Sequence, residues 1–210
     1  MNHVYRNPAL QVLQARAPGA AMGGLRTVAF DAGMTWSCLA GEPPGLWFLE
    51  TGLMALEQPG DAGPVALALL GADSAIPLLA PGMLQLRALS DGHALCLSAE
   101  QALSHVPDLL LGWQQGLLER MARQAACARA HGPAQALADA LLWAHRAGAG
   151  AVAWTVKALP AGQRLAPEAR EQLLVQWVAA GALRRQGAAL QVQDESVLAA
   201  LACCCLRTPA

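Results

Sequence analysis

Up to about residue 98, short apolar runs alternate with turn signals: "PPG", "QPGDAG", "APG" and "SDG". That spacing predicts strands joined by tight turns, as in an all-β sandwich or barrel. "GLWFLETGLMALE" followed by "GPVALALLG" reads as one hairpin, and "MLQLRALSDGHALCLS" as another that turns at Asp91-Gly92. From Ser98 to about Arg129 the period changes, with Pro107 and little else to break a helix. Leu110, Trp113, Leu117, Met121 and Ala125 repeat at three- and four-residue steps, which places them on one stripe. A long helix with one stripe needs something to cover it. A second copy of the chain is the expected cover, which makes these five residues the expected dimer interface; docking on the β domain is the alternative.

Gly132-Pro133 ends or bends this helix. "AQALADALLWAHRAG" predicts a second helix, stopped by Gly148 and Gly150, and residues 151–165 are poorly patterned. A helix from about Pro167 to Ala180 follows, with Pro167 in its first turn and Gly181 beyond its end. "ALRRQGAALQV" predicts a short hairpin turning at Gln186-Gly187, and "ESVLAALACCCL" a last helix.

The chain has 210 residues, 55% of them hydrophobic and 14% charged. That is enough for one large domain or two small ones with ample core. Asp73, Ser74, Pro77 and Pro81 interrupt the most apolar stretch, so no membrane span is expected. With Arg6 and Arg16 in an N-terminal stretch that has no apolar core, the chain reads as soluble and cytoplasmic. The net charge of −1 hides an asymmetry. Residues 1–103 carry four arginines against eight acids, whereas residues 147–210 carry six cations against four acids. An acidic front and a mildly basic tail suit a sensor joined to a nucleic-acid module.

These elements together resemble the Crp/Fnr superfamily of bacterial transcription regulators. The most specific stretch is "AACARAHGPAQALADALLWAHRAG", in which Cys127, Arg129, His131, Leu137, Leu141, Leu142, Trp143 and His145 fall in step with the family's Cys-Asn-Arg-x-His segment and following helix. "VAAGALRRQGAALQVQD" looks like the end of a recognition helix plus a wing, and the alanine- and cysteine-rich end resembles that of a common subgroup. The resemblance implies an α+β chain. Residues 1–104 would form a cupin-like, cyclic-nucleotide-binding-like β sandwich that senses an effector. Residues 105–131 would form a long dimerisation helix, and residues 132–210 a degenerate winged helix-turn-helix. It further implies a homodimer that acts on double-stranded DNA, with RNA polymerase as a partner, and no enzymatic role. The residues it points to for DNA are Lys157, Arg164, Glu168, Arg170, Gln172, Arg184 and Arg185. A family member that has lost sequence reading and serves as a dimeric sensor or protein-binding module is the alternative.

Two departures from the family pattern matter. Cyclic-nucleotide-binding members carry Gly-Glu and then Arg-Ser/Thr-Ala, whose arginine grips the cyclic phosphate. Here Gly82 and Met83 stand nearest to the Arg-Ser pair, no acid stands in the Gly-Glu place, and Arg87 fits better as an outward strand residue. The base-contacting run of the family falls on Ala166, Pro167, Glu168, Ala169, Arg170, Glu171 and Gln172, where only Glu168 keeps its type. A lone glutamate can accept from cytosine, but it repels phosphate unless arginines flank it. The preceding helix keeps Thr155 and Leu159 but also contains Pro160 and Gly162.

Candidate chemistry beyond this is sparse. Cys203, Cys204 and Cys205 are consecutive, so on a helix they point about 100° apart and read as small hydrophobes. No metal or cofactor is expected. Residues 1–37 hold no cysteine, unlike the iron–sulfur members of the family. One histidine, His93, near one cysteine, Cys96, on opposite sides of a strand does not specify haem. His131 reads as packing or capping at the Gly-Pro bend, and the scattered tryptophans read as core. No nucleophile–base pair, glycine-rich phosphate loop or HExxH motif is recognisable.

The missing phosphate grip leads to a direct test. Calorimetry with cyclic AMP is expected to show no binding tighter than about 10 μM, roughly −6.8 kcal/mol. A tighter constant overturns that expectation.

Overall fold

In the computed structural model the described residues are 5–16, 19–37, 45–61, 63–78, 84–147, 165–186 and 189–203. Two short helices, α1 (Pro8–Arg16) and α2 (Ala20–Gly23), precede eight strands. These are β1 (Arg26–Phe30), β2 (Thr35–Ser37), β3 (Gly45–Thr51), β4 (Met54–Gln58), β5 (Val65–Leu70), β6 (Ala75–Leu78), β7 (Gln85–Ala88) and β8 (Gly92–Ser98). Helices α3 (Ala99–His105), α4 (Pro107–Ala130) and α5 (Pro133–Ala147) follow. The C-terminal part contains α6 (Pro167–Ala179), β9 (Leu183–Gln186), β10 (Ala189–Val192) and α7 (Glu195–Leu201). The fold class is α+β, with a β sandwich and a helical C-terminal part that carries a two-stranded wing.

The eight strands form two four-stranded sheets, ordered β1-β8-β3-β6 and β2-β7-β4-β5, with antiparallel pairing throughout. This is a two-sheet jelly-roll arrangement, in agreement with the expected cupin-like sandwich. Its interior is filled by Phe30, Trp36, Trp47, Leu49, Met54, Leu56, Ile76 and Leu86. Trp36 lies edge-on to Phe30 and tilted against Trp47, so three rings interlock there.

Of the two expected hairpins, the first is found between the end of "GLWFLETGLMALE" and "GPVALALLG", and the second is corrected. β7 and β8 flank Asp91-Gly92 but belong to different sheets. The run "GLWFLETGLMALE" is itself two strands, β3 in one sheet and β4 in the other, so the first hairpin is β4–β5. Both corners are set by glycine. Gly52 has φ +84°, a left-handed conformation that side chains resist. A Cβ on Gly52 would sit 2.7 Å from the Asp91 carbonyl oxygen, and one on Gly92 would sit 2.4 Å from the Thr51 carbonyl oxygen. The two corners are stacked against each other. A local turn signal announces a reversal of the chain, but it does not say whether the next strand pairs with the last or crosses to the facing sheet.

Pro133, Pro167 and Gly181 bound helices as expected, but the two N-terminal helices were not foreseen, the long helix is divided at Val106-Pro107, and the last helix ends at Leu201, short of the cysteine run. Ser98 and Gln101 form a reciprocal capping box at the start of α3. His131 is the C-cap of α4, its N–H bonded to the Cys127 carbonyl, and α5 restarts at Pro133. Gly181, at φ +76°, turns the chain from α6 into the wing. Asp194 caps α7 by accepting from the backbone N–H groups of Ser196 and Val197. The Ser196 hydroxyl and those two N–H groups hold its carboxyl below the usual carboxylate range.

A second core joins the outer face of the β2-β7-β4-β5 sheet to the C-terminal elements. Leu53, Ala55, Leu69 and Leu89 pack in one cluster with Leu137, Leu141, Leu174, Trp177, Leu183 and Leu190. α5 is almost wholly committed to it, with Ala136 to Leu142 and Ala144 buried.

The stacked corners give a measurable contrast. Gly92→Ala is expected to destabilise the fold by about 1–3 kcal/mol in denaturant unfolding, because the added methyl meets backbone. Gly112→Ala, in an exposed stretch of α4 where nothing lies within 4 Å, is expected to stabilise by about 0.5–1 kcal/mol. Equal effects at the two sites would show that the corner packing is not limiting.

Candidate functional site

α4 has two distinct faces. Leu110 is buried, and Trp113 meets Phe48 edge-on with ring centroids 5.5 Å apart. Leu117 and Met121 pack against the sandwich core, and Gln124 accepts a hydrogen bond from the Leu69 backbone N–H at 3.3 Å. Four of the five stripe residues therefore pack within their own chain, which is the docking alternative of the sequence reading. The reason is proximity: the stripe begins one turn after α3, which already lies against β3. Only Ala125 of the five is exposed.

The outward face carries Leu111 at 69% exposure and Leu118 at 64%, with Ala122 and Ala125 also exposed. Positions 111, 118 and 125 are one heptad apart, and 115, 122 and 129 follow four residues after each. Gln115 and Arg129 take two of these places, so the apolar strip on the solvent side of the helix is a short one made of Leu111, Leu118, Ala122 and Ala125. The sequence signal was present in this spacing, but the bulkier inner stripe outweighed it.

The C-terminal candidate surface is built from α6 and the β9–β10 wing. Leu174 and Trp177 anchor the inner face of α6. Its outer face exposes Glu168, Glu171, Gln172, Val175 and Val178, while Arg170 is half-buried. Pro167 opens the helix, and Ala166 provides no side-chain cap. On the wing, Arg184 stands opposite Gln191 and donates to it at 3.2 Å. Arg185 reaches back to α6 and pairs with Glu171 at 2.6 Å. The structure thus brings Glu168, Arg170, Gln172, Arg184 and Arg185 into one helix-plus-wing unit. Lys157 and Arg164 lie outside the described residues, as do the expected first helix of the helix-turn-helix, Gly82 and Met83, and the Gly187 turn.

In the sandwich, Arg87 sits on the strand face opposite to the interior residues Leu86 and Ala88, as expected for an outward residue. It is not simply solvated. Its guanidinium pairs with Glu57, whose carboxylate is fully buried and also accepts from Gln85 at 3.1 Å. The sequence reading missed this buried acid, since nothing local marks Glu57 as inward. A second buried acid, Glu50, accepts the backbone N–H groups of Arg6 and Asn7, each at 3.1 Å. Asn7 in turn donates to the carbonyls of Leu49 and Ser74. Together they pin α1 to β3.

Two clefts border the helices. One of about 300 Å³ is lined by Arg6, Glu50, Thr51, Asp73 and Arg146. The other, of about 200 Å³, runs between the sandwich and α4 and is lined by Asp73, Ser74, Trp113, Arg120 and Arg123. Arg120 already bonds Asp73 at 3.0 Å and lies over the Trp143 ring. His93 is held by Thr51 at 2.8 Å, and burial pushes the Cys96 thiol up to about 11, against a smaller opposing pull from Arg26. Cys96 is therefore a neutral packing thiol near pH 7. No helix among the described residues is long and apolar enough to cross a membrane.

No family model and no curated protein sequence matches the chain. Solved structures do. A transcriptional regulator of the CRP family from Thermus thermophilus superposes with a TM-score of 0.64 at 18% identity, covering 83% of this chain and 96% of that one. FixK2 from Bradyrhizobium japonicum gives 0.65 at 16% identity, over 89% and 99%. A Crp/Fnr-family protein from Eubacterium rectale gives 0.68 at 13% identity, over 93% and 98%. The chain has the fold of the Crp/Fnr transcription regulators, over nearly the full length of those neighbours.

Proposed function

We propose that this chain is a DNA-binding transcription regulator of the Crp/Fnr type that answers an effector other than cyclic AMP. Residues 1–104 serve as the sensor, 105–131 as the dimer helix and 132–210 as the DNA-facing module. The observation that carries the reading is the placement of a short exposed apolar seam on α4 in the same fold as a helix-plus-wing unit. The seam fits a second copy of the chain through Leu111, Leu118, Ala122 and Ala125. An effector that favours one arrangement of sandwich and helix would shift the paired reading units between two states on half-sites one DNA turn apart. RNA polymerase is the further partner this reading implies.

A second reading, in which sequence recognition has been lost, is favoured by one specific feature. The exposed face of α6 carries Val175 and Val178 with two glutamates, and Glu171 occupies Arg185. Such a face is poor for base edges and suits protein contact.

The helix seam is tested first. Leu118→Glu is expected to give a monomer by light scattering, since it places a carboxylate in an apolar seam, with the thermal midpoint of the sandwich little changed. Leu117→Glu is expected to destabilise the fold itself. A Leu118→Glu chain that stays dimeric refutes the seam.

DNA binding is tested by gel shift with the DNA upstream of the protein's own gene at two salt concentrations. Weak, strongly salt-dependent binding is expected, with a specificity ratio well below the ~10³ of ordinary specific regulators. Arg184→Ala with Arg185→Ala should weaken binding to all sequences alike and flatten the salt slope by about one unit per half-site, most of it from Arg184, since Arg185 is already paired with Glu171. Absence of binding even at low salt selects the second reading. Tight binding to one site at high salt, lost on a single base-pair change, places the reading chemistry elsewhere in the C-terminal part.

A further inference from the structure

Cys127 and Cys203 are 76 positions apart in the chain, yet their sulfurs lie 3.3 Å from each other. Cys203 Sγ is also 3.5 Å from Asp139 Oδ2. The ligand-type atoms of all three residues lie within 4.8 Å of one another. They come from three elements. Cys127 is in the last turn of α4, Asp139 is in the second turn of α5, and Cys203 follows α7. Cys127 and Asp139 are buried, at 5% and 1% exposure, and Cys203 is half-buried. Their surroundings are the apolar second core, including Ala136, Leu137, Ala140 and Leu198.

We propose that Cys127, Asp139 and Cys203 form a binding site for a thiophilic divalent metal ion of the zinc class. Geometry supports it. Zinc sits about 2.3 Å from thiolate sulfur and about 2.0–2.2 Å from carboxylate oxygen. Tetrahedral angles then separate two sulfurs by about 3.8 Å, and a sulfur from an oxygen by about 3.5 Å. The observed 3.3 Å and 3.5 Å lie within half an ångström of those separations. Donor chemistry supports it as well. Two thiols alone would suit a redox pair, but a disulfide would draw the sulfurs together to about 2.0 Å and make no use of the carboxylate. A carboxylate packed among thiols in an apolar core opposes thiolate formation, whereas a shared divalent cation turns that repulsion into attraction. Binding releases a proton from each thiol, and water or an exogenous ligand completes the fourth position. The bound ion would clamp the end of α4 to α5 and to the chain beyond α7, at the joint between the long helix and the C-terminal module. The site does not depend on whether that module reads DNA.

The full chain, reduced and stripped of metal, is titrated with Co²⁺ under anaerobic conditions. One ion per chain is expected, with a thiolate-to-cobalt charge-transfer band that Zn²⁺ abolishes on displacement. Cys127→Ser and Cys203→Ser should each lower affinity by about tenfold or more and reduce the band. Asp139→Asn should weaken binding and shift the visible d–d bands. A chain with Cys204→Ser and Cys205→Ser should bind as before. X-ray absorption on the zinc-loaded native chain requires no variant to fold, and should show two sulfur and two lighter ligands. The proposal is overturned if no thiolate band appears, if Cys127→Ser binds unchanged, or if the zinc shell contains three or four sulfurs. Oxidation to a Cys127–Cys203 disulfide in a chain that takes up no metal when reduced also overturns it.

Discussion

Met54, Ala55 and Leu56 of β4 have no measurable exposure, because the strand is covered on both faces. Met54 and Leu56 point into the sandwich, while Ala55 joins the cluster made with α5, α6 and the wing. An antiparallel strand in a sandwich normally alternates between core and water. Here the alternation is between two cores, and much else follows. The C-terminal elements are packed against the sandwich as well as tethered to it. α5 must be apolar on nearly every side. Gly71 has to lack a side chain, since a Cβ there would lie 2.5 Å from that of Ala147. Glu57, next along β4, has to find its counter-charge inside the protein.

Burial of Glu57 shows how that requirement is met. Its carboxylate takes a donor from Gln85 and two from Arg87, so neither oxygen is left without a donor. A buried pair of this kind adds little net stability relative to apolar packing, but removing one partner is costly. It also fixes how β4 and β7 meet, since Glu57 stands opposite Gln85 and Ala55 opposite Arg87. Glu50 and Asn7 do the equivalent work on the other sheet, where a carboxylate and an amide tie down the N-terminal helix through backbone groups.

The parts of this fold legible in the sequence are those governed by local chemistry. Pro133, Pro167 and Gly181 mark helix ends because proline and glycine act on their own backbone. The wing was legible from its turn and flanking apolar residues, and the jelly-roll class from its spacing of runs and breakers. The parts that were hidden depend on which surfaces meet. Asp91-Gly92 looks the same whether the chain pairs back or crosses over. The stripe from Leu110 to Met121 states that a partner exists, without stating that the sandwich of the same chain supplies it. Glu57 sits in a run of apolar strand residues with no local cue for Arg87, which lies thirty positions away. Cys127 stands in the family-like segment and Cys203 in a run of three consecutive cysteines, and only the folded chain places them side by side.

The ion pair between Arg185 and Glu171 has an entropic consequence. A free arginine on a DNA-facing wing neutralises a phosphate and so liberates a condensed cation from the nucleic acid, and that release drives association. Arg185 already carries its own counterion as a covalently attached carboxylate. When a phosphate takes its place, Glu171 is not set free into bulk solvent but stays on α6, next to the polyanion, and must recruit a cation from solution. The gain in dissolved salt at that position is largely cancelled. If the wing meets DNA as proposed, Arg185 would act as an exchange site already filled by a fixed charge, so a count of wing arginines would overstate the affinity to be drawn from a salt solution.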